Sequence, residues 1–171
     1  MLACVDVDYR GEHARAACVL FQTWTAPVAE ETLVERIDTV HRYVPGEFFR
    51  RELPCLLAVL ARTPTLPETI VVDGYVWLDA QHRPGLGARL YDALAGQAAV
   101  IGVAKSAYAG TAAIPLQRGR SAKPLWVTAV GMDERQAVDC IRQMDGPFRI
   151  PTLLKAVDRA CRLAGRASIN T

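Results

Sequence analysis

The sequence contains no apolar run that approaches the roughly 18 residues needed to cross a bilayer. Its beginning, MLACVDVDYR, lacks the basic segment and following apolar stretch of a signal peptide. The five cysteines are odd in number and no two are spaced C-x-x-C, which argues against a disulfide framework and against a zinc site. We therefore expect a cytoplasmic, monomeric protein with no membrane partner, whose reduced cysteines fill the core.

The chain also lacks internal repeats, low-complexity tracts and long linkers, so we expect its 171 residues to form one domain over 1–171. Its charge is uneven. Residues 1–100 hold nine Lys or Arg against thirteen Asp or Glu, a net −4, whereas residues 101–171 hold eleven against five, a net +6. The acids could gather a cation and the bases could hold a phosphate backbone, although two differently decorated surfaces would give the same counts.

Apolar periodicity predicts the order of strands and helices. Five segments are typical of strands: ACVDVDYR, ARAACVLFQTW, ETIVVDG, AAVIGVAK and KPLWVTAVG. Four are typical of helices: FFRRELPCLLAVLAR, PGLGARLYDALAG, DERQAVDCIRQM and IPTLLKAVDRACRLAGR. The segment APVAEETLVERID fits a third strand or a short helix, and the proline and glycine of RYVPGEFF predict a loop.

Strands cluster early in this order and then alternate with helices. The pattern predicts an α/β fold with a mixed sheet, antiparallel at its start and parallel in its later strands, flanked by helices. A ribonuclease-H-like sheet has this order of elements. On the pattern alone, a flavodoxin-like or other open α/β sheet is the alternative.

Three acidic residues occupy positions from which their carboxylates could form an active site. Asp6 is central in the first strand, Glu52 lies in the first helix, and Asp73 closes the strand TIVVD. If the two strands are neighbours, the three carboxylates converge, and they are stable together only with a cation between them. Oxygen ligands suit Mg²⁺, with Mn²⁺ as a possible substitute. The acids are therefore candidate catalytic and metal-binding residues.

Each acid also has a purely structural interpretation. Asp6 could face solvent from its strand, Glu52 could pair with Arg50 or Arg51 on an exposed helix face, and Asp73 could cap a turn.

Two further candidates carry a titratable nitrogen. Lys105 ends the strand VIGVAK, where ligands bind in open α/β sheets, and it could hold a phosphate or orient water. A lysine that only extends its charge from a strand end into solvent is the alternative. His82 could be a base, a phosphate contact or an ordinary loop histidine.

These residues, in their order and spacing, resemble the endonuclease V (deoxyinosine 3′-endonuclease) family. The resemblance covers nearly the whole chain, and the combination of YVPG, RRE, VDG and IGVAK is specific. The matching stretches are VDVDY (5–9), YVPGEFFRRE (43–52), IVVDG (70–74), HRPGLGARL (82–90), IGVAK (101–105), KPLWVTAVG (123–131) and GPFRIPTLLKAVDRA (146–160).

The resemblance implies a ribonuclease-H-like fold and Mg²⁺-dependent hydrolysis of a phosphodiester 3′ to a deaminated base, inosine, in DNA or RNA. It implies that Asp6, Glu52 and Asp73 bind the metal, that Lys105 is the active-site lysine, and that His82 is the histidine after VDG.

The resemblance also implies contacts with nucleic acid. A wedge of Tyr43, Val44 and Pro45 would enter the duplex beside the lesion, as intercalating side chains do elsewhere. Gly46, Gly85 and Gly87 would lie where the backbone approaches nucleic acid or packs tightly. From the basic half of the chain, we expect the phosphate backbone to be gripped by Arg118, Arg120 and Lys123.

The sequence departs from the family pattern near the reaction centre. Tyr75 and Val76 replace the histidine and glycine that usually follow VDG, and the added WLDAQ brings Asp79, an extra carboxylate for the site or a loop acid facing water. Met132 stands where a late glycine-histidine pair supplies another active-site imidazole.

Three further departures lie elsewhere in the chain. Arg42 stands where the family has the leading proline of the wedge. Ser106 follows the lysine where the family often doubles it, and the N-terminal helical leader is expected to be absent. Together, the departures leave metal and phosphate chemistry intact while altering base recognition. A nucleic-acid-binding module with weakened catalysis, and a nuclease with another base preference, are therefore alternatives.

Overall fold

The computed structural model describes residues 1–40 and 48–163, which form a seven-stranded sheet with helices on both faces. The elements in chain order are β1 Leu2–Arg10, β2 His13–Phe21, β3 Glu31–Ile37, α1 Phe48–Leu60, β4 Thr69–Asp73, α2 Leu86–Ala93, β5 Ala99–Ala104, β6 Ile114–Leu116, β7 Leu125–Val130, α3 Glu134–Gln143 and α4 Thr152–Leu163. Each predicted strand and helix has its counterpart. The ambiguous segment forms β3, a strand that pairs with β2.

The sheet is mixed, with strand order β3-β2-β1-β4-β5-β7-β6. The first three strands are antiparallel neighbours. A tight turn at Gly11, whose φ of 63° suits glycine, connects β1 to β2. β4 and β5 run parallel to β1, as predicted for the later strands. β7 departs from that prediction, because it runs antiparallel to β5 and pairs with the short β6.

Two apolar layers hold the helices against the sheet. Alternate residues of each strand face opposite sides, so Val72 packs under α1 and α2, whereas Val71 packs under α3 and α4. The five cysteines are buried free thiols, as the sequence predicted. No helix within 1–40 or 48–163 combines the length and apolar character required to span a membrane.

The sheet directions decide where a site can form. β1, β4 and β5 are parallel, so their carboxyl ends meet at one edge of the sheet, and antiparallel β7 begins at that same edge. Ligands of open α/β sheets bind at such an edge.

Candidate functional site

Asp6 and Asp73 lie on neighbouring parallel strands at this edge. The last paired residues of β1 and β4 are Val5 and Val72, and each is followed by its aspartate. Strand alternation places both carboxylates on the face covered by α4. The predicted convergence of the two strands is therefore present in the structure.

Glu52 reaches the same place from α1, on the other face of the sheet. Its side chain is only 5% exposed, and Oε2 has no hydrogen-bond partner. Burial, followed by the charges of Asp6 and Asp73, raises the pKa of Glu52 to about 8. The interpretation of Glu52 as a solvated helix residue is therefore wrong, and Glu52 lines the same cavity as the two aspartates.

Asp6 is affected in the same way. Burial raises the pKa of Asp6 to about 6, against a hydrogen bond of 2.9 Å from the backbone N–H of Val7 to Oδ1 that lowers it. The charges of Asp73 and Asp158 also raise this pKa, and the charge of Lys105 lowers it. The three carboxylates thus repel one another electrostatically, and protonation or a bound cation relieves this repulsion.

Lys105 follows β5 and donates a hydrogen bond from Nζ to Oδ2 of Asp73. Burial lowers the pKa of Lys105, but the hydrogen bond and charge of Asp73 outweigh it, so the pKa is raised overall. Lys105 is therefore a cation at the mouth of the acidic cluster. Its alternative interpretation, a lysine that only extends into solvent, does not describe this contact.

The acids and the lysine surround a cavity of about 310 Å³ at the sheet edge, the acid cleft. Its lining residues are Asp6, Val7, Asp8, Phe48, Glu52, Asp73, Lys105, Asp158 and Arg162. A second, largely apolar cavity of about 20 Å³ is lined by residues of α4 and of the strand ends, and it has room for about one water molecule. It shares Asp6, Asp73 and Lys105 with the cleft.

Five residues that line the cleft were not predicted as site residues: Val7, Asp8, Phe48, Asp158 and Arg162. Asp158 pairs with Arg162 at 2.9 Å along α4, and Asp8 pairs with Arg10 at 2.9 Å. Asp158 and Arg162 reach the cleft because α4 packs across β1. The sequence contained two signals. Asp8 shares a face of β1 with Asp6, and Asp158 and Arg162 have the i, i+4 spacing that many solvated helices also show.

His82 does not line the acid cleft. It lies in the loop between β4 and α2, in the left-handed region at a φ of 58°, with its ring 5.0 Å from that of Trp77. Asp79 in the same loop accepts hydrogen bonds from the backbone N–H groups of Gln81 and Arg83, and its Oδ2 pairs with Arg83 Nε at 3.0 Å. Asp79 thus forms its hydrogen bonds and its ion pair within its own loop, and it does not line the cleft.

The predicted contacts with nucleic acid have different structural settings. Tyr43, Val44, Pro45 and Gly46 fall outside the described residues. Arg120 and Lys123 are exposed in the loop before β7, at the same sheet edge as the acids.

Arg118 is 7% exposed and donates hydrogen bonds to the carbonyl oxygens of Met144 and Phe148, the latter at 2.9 Å. We therefore correct its predicted role: Arg118 fastens one loop to another and has no free guanidinium for a phosphate.

Gly85 and Gly87 are buried, and internal packing explains both. A Cβ on Gly85 would lie 2.5 Å from the carbonyl oxygen of Tyr75, and one on Gly87 would lie 2.7 Å from the side chain of Val76. The tight-packing interpretation therefore holds, and Gly85 has no open side facing a ligand, contrary to its predicted contact with nucleic acid.

Met132 is far from the acid cleft. Asp73 of β4 pairs with Val103 of β5, and Val103 pairs with Val127 of β7. From Val127 onward, β7 runs away from the cleft and ends beside the start of β5. Met132 packs against the core beneath α3 and α4 at that opposite end. The structure contradicts the expectation that Met132 occupies the place of an imidazole at the reaction centre.

The donor set suits a hard divalent cation, although the side chains are not arranged as a closed shell. Asp6, Glu52 and Asp73 offer carboxylate oxygens, and the unpartnered Oε2 of Glu52 is the kind of buried group that a cation would satisfy. In the part of the chain that the structure describes, no three Asp, Glu, His or Cys side chains form a group that could hold one ion.

The chain is similar to known proteins over most of its length. A family model described as Endonuclease V matches residues 1–156. Endonuclease V of Azotobacter vinelandii is 37% identical over 113 residues, which cover 65% of this chain and 49% of that protein. Endonuclease V of Rhodospirillum centenum is 30% identical over 192 aligned positions, which cover 97% of this chain and 78% of that protein. The chain spans about half the length of the Azotobacter relative.

Solved structures share the fold. Endonuclease V of Streptomyces avermitilis superposes with a TM-score of 0.77 at 28% identity, covering 94% of this chain and 79% of that one. Endonuclease V of Ciona intestinalis, in complex with a 24mer DNA containing an inosine followed by a ribo-adenosine, gives 0.76 at 19% identity, covering 94% and 83%. The predicted ribonuclease-H-like fold is confirmed, and the chain belongs to the endonuclease V family.

Proposed function

We propose that this protein is a divalent-metal-dependent endonuclease that hydrolyses a phosphodiester 3′ to a deaminated base, inosine, in DNA or RNA. The observation that carries the proposal is the meeting of Glu52 with Asp6 and Asp73 from opposite faces of the sheet. A buried carboxyl group without a hydrogen-bond partner costs folding free energy, so its retention at this edge favours a functional role.

The metal would be held by Asp6, Glu52 and Asp73, with Mg²⁺ as the expected ion and Mn²⁺ as a substitute. When bound, such an ion neutralises charge on phosphate oxygens and lowers the pKa of water. Like Asp8, Asp158 lines the same cleft and adds a further carboxylate to it. Its contact with Arg162 restrains its direction.

Lys105 supplies the positive charge that a reacting phosphate needs. Its ammonium group is half exposed at the mouth of the acid cleft, where Asp73 holds it in the absence of another partner. A phosphate that enters the cleft would compete with Asp73 for Nζ. Lys105 would then stabilise the charge that develops on the phosphate in the transition state, while Asp73 becomes available to a cation.

The backbone of the nucleic acid would be gripped beside the cleft. Arg120 and Lys123 are exposed at the same edge of the sheet, and their attraction to phosphates would weaken with salt. The wedge of Tyr43, Val44 and Pro45, together with Gly46, stays a proposal that rests on the resemblance. His82 lies in the neighbouring loop, and its proposed role in catalysis also rests on the resemblance.

Binding of nucleic acid without cleavage is the second candidate. It is favoured by the engagement of Asp73 with Lys105 and by the absence of a group that could hold a metal among residues 1–40 and 48–163. Met132 no longer supports it, because this residue lies at the other end of the sheet.

A panel of end-labelled oligonucleotides tests the proposal and separates the two candidates. Single- and double-stranded DNA and RNA, each with and without one inosine, are incubated with the protein in Mg²⁺, Mn²⁺ or EDTA. We expect one cut 3′ to inosine that requires the metal. Binding without any cut would support the second candidate, and equal cutting of every strand would refute the preference for inosine.

A further inference from the structure

A cluster of aromatic and charged side chains stands beside the acid cleft, and two of its four members, Tyr75 and Asp79, belong to the segment where this chain departs from the family pattern. It joins the loop after β4 to the loop after β5. We name it the Tyr108 platform, and its members are Tyr75, Asp79, Arg83 and Tyr108.

Tyr75 fastens the two loops together. Its hydroxyl donates a hydrogen bond of 2.7 Å to the carbonyl oxygen of Ser106 and accepts one of 3.1 Å from the backbone N–H of Tyr108. The rings of Tyr75 and Tyr108 lie 6.1 Å apart at 58°. Tyr75 follows Asp73 by two residues, so the platform is tied directly to the end of β4.

Arg83 fixes the Tyr108 ring from the other loop. Its Nη2 donates to the Tyr108 hydroxyl at 3.2 Å, its guanidinium carbon lies 5.9 Å from the ring centre, and Asp79 pairs with its Nε at 3.0 Å. Tyr108 is nevertheless 43% exposed. An aromatic ring that is held in place while facing solvent is prepared to contact a ligand, because little conformational freedom is left to lose.

The position of the platform indicates the ligand. Tyr108 follows Lys105 by three residues, so its Cα lies within about 11 Å of the Cα of Lys105. A strand whose phosphate contacts Lys105 would carry a neighbouring base past the Tyr108 ring. Base stacking on an aromatic ring tolerates any sequence, and a nearby arginine adds attraction.

We propose that Tyr108, held by Tyr75 and Arg83, is a stacking surface for an unpaired base next to the phosphate at Lys105. This inference rests on the proposed function, since it assumes that a nucleic acid strand enters the acid cleft. It adds a sequence-tolerant contact to that function, and it predicts that the protein prefers single-stranded or locally unpaired substrates.

The test measures binding in EDTA, so that its outcome does not depend on cleavage. The dissociation constant is measured by fluorescence anisotropy for a single-stranded DNA and for its duplex. One abasic nucleotide is then moved along the single strand, position by position, for the protein and for its Tyr108→Ala variant. We expect the unmodified protein to lose affinity at one abasic position, and Tyr108→Ala to be insensitive to that position.

The expected size follows from stacking energies. Tyr108→Ala should weaken single-strand binding roughly 5- to 150-fold, and Tyr108→Phe, which keeps the ring, only about 2-fold. Phe148→Ala is the matched control, because Phe148 is an exposed ring, 62% accessible, with a cation 4.0 Å away on Lys155, outside the platform. Circular dichroism confirms that each variant is folded.

Two results would overturn the proposal. One is an abasic profile of Tyr108→Ala identical to that of the unmodified protein. The other is an equal loss of affinity in Phe148→Ala, which would indicate a general effect of exposed rings. If the unmodified protein binds strands but cuts none, the proposed cleavage fails, while the abasic comparison still decides the role of Tyr108.

Discussion

Lys105 donates a hydrogen bond to the carboxylate of Asp73 across the ends of two neighbouring parallel strands. The pair places a positive charge at the acid cleft, which Asp6 and Glu52 also line. The same lysine can turn to a phosphate that enters the cleft.

Removing the lysine charge should therefore affect catalysis more than folding. Lys105→Met should reduce the rate of metal-dependent cleavage about 100-fold or more, the usual effect of losing one group that stabilises transition-state charge. Both partners of the ion pair are partly exposed, so the free energy of unfolding should change by less than about 1 kcal/mol. Single-turnover kinetics and thermal unfolding check the two expectations. An unchanged rate would contradict the role of Lys105.

Glu52 should make the metal-free protein less stable as pH rises. Its pKa is raised from 4.5 to about 8, so the folded state keeps a proton that the unfolded state has lost. The free energy of unfolding should fall from about pH 4.5 to about pH 8 and then level off, with Asp6 adding to the lower part of this range.

Thermal unfolding in EDTA across this pH range measures the effect. Glu52→Gln should flatten the dependence of the melting temperature on pH and should raise the melting temperature at pH 8. Addition of Mg²⁺ at pH 8 should raise the melting temperature of the unmodified protein only. Parallel profiles for the two proteins would show that Glu52 is not the group responsible.

Arg118 and Arg120 should behave differently although they are two residues apart. Arg118→Met leaves buried carbonyl oxygens unsatisfied and should lower the free energy of unfolding by about 2–4 kcal/mol. Arg120→Met should change it by less than about 0.5 kcal/mol and reduce the slope of binding against salt concentration by about one. Urea unfolding and binding at several salt concentrations separate the two roles. Equal stability of the two variants would contradict the structural role of Arg118.

Met132→His should leave cleavage and metal dependence unchanged within about 2-fold, because β7 carries this residue away from the acid cleft. Initial rates in Mg²⁺ test this directly. A marked gain in rate would mean that residue 132 approaches the reaction centre after all.

The sequence was most informative where strands and acids coincide. The end of β4 at Asp73, the central place of Asp6 in β1 and the position of Glu52 in α1 follow from short apolar runs, and the specific resemblance supplied the pairing of those elements. The order of strands and helices was predictable for the same reason.

Other features depend on directions that a sequence pattern does not contain. Periodicity predicts β7 as a strand without giving its direction. The place of Met132 was inferred from the resemblance, and antiparallel β7 carries this residue to the other end of the sheet. Asp158 reaches the cleft only because α4 packs across β1. Arg118 carries the same charge as Arg120, and only the fold decides which of them is buried.

The most direct test of the account is cleavage of an inosine-containing strand as a function of Mg²⁺ concentration for the unmodified protein, Asp73→Asn and Asp139→Asn. Asp139 is the matched control, since its exposed carboxylate pairs with Arg142 on α3, outside the acid cleft. We predict Mg²⁺-dependent cutting 3′ to inosine that is lost in Asp73→Asn and retained in Asp139→Asn. Undiminished Mg²⁺-dependent cutting by Asp73→Asn would contradict the account.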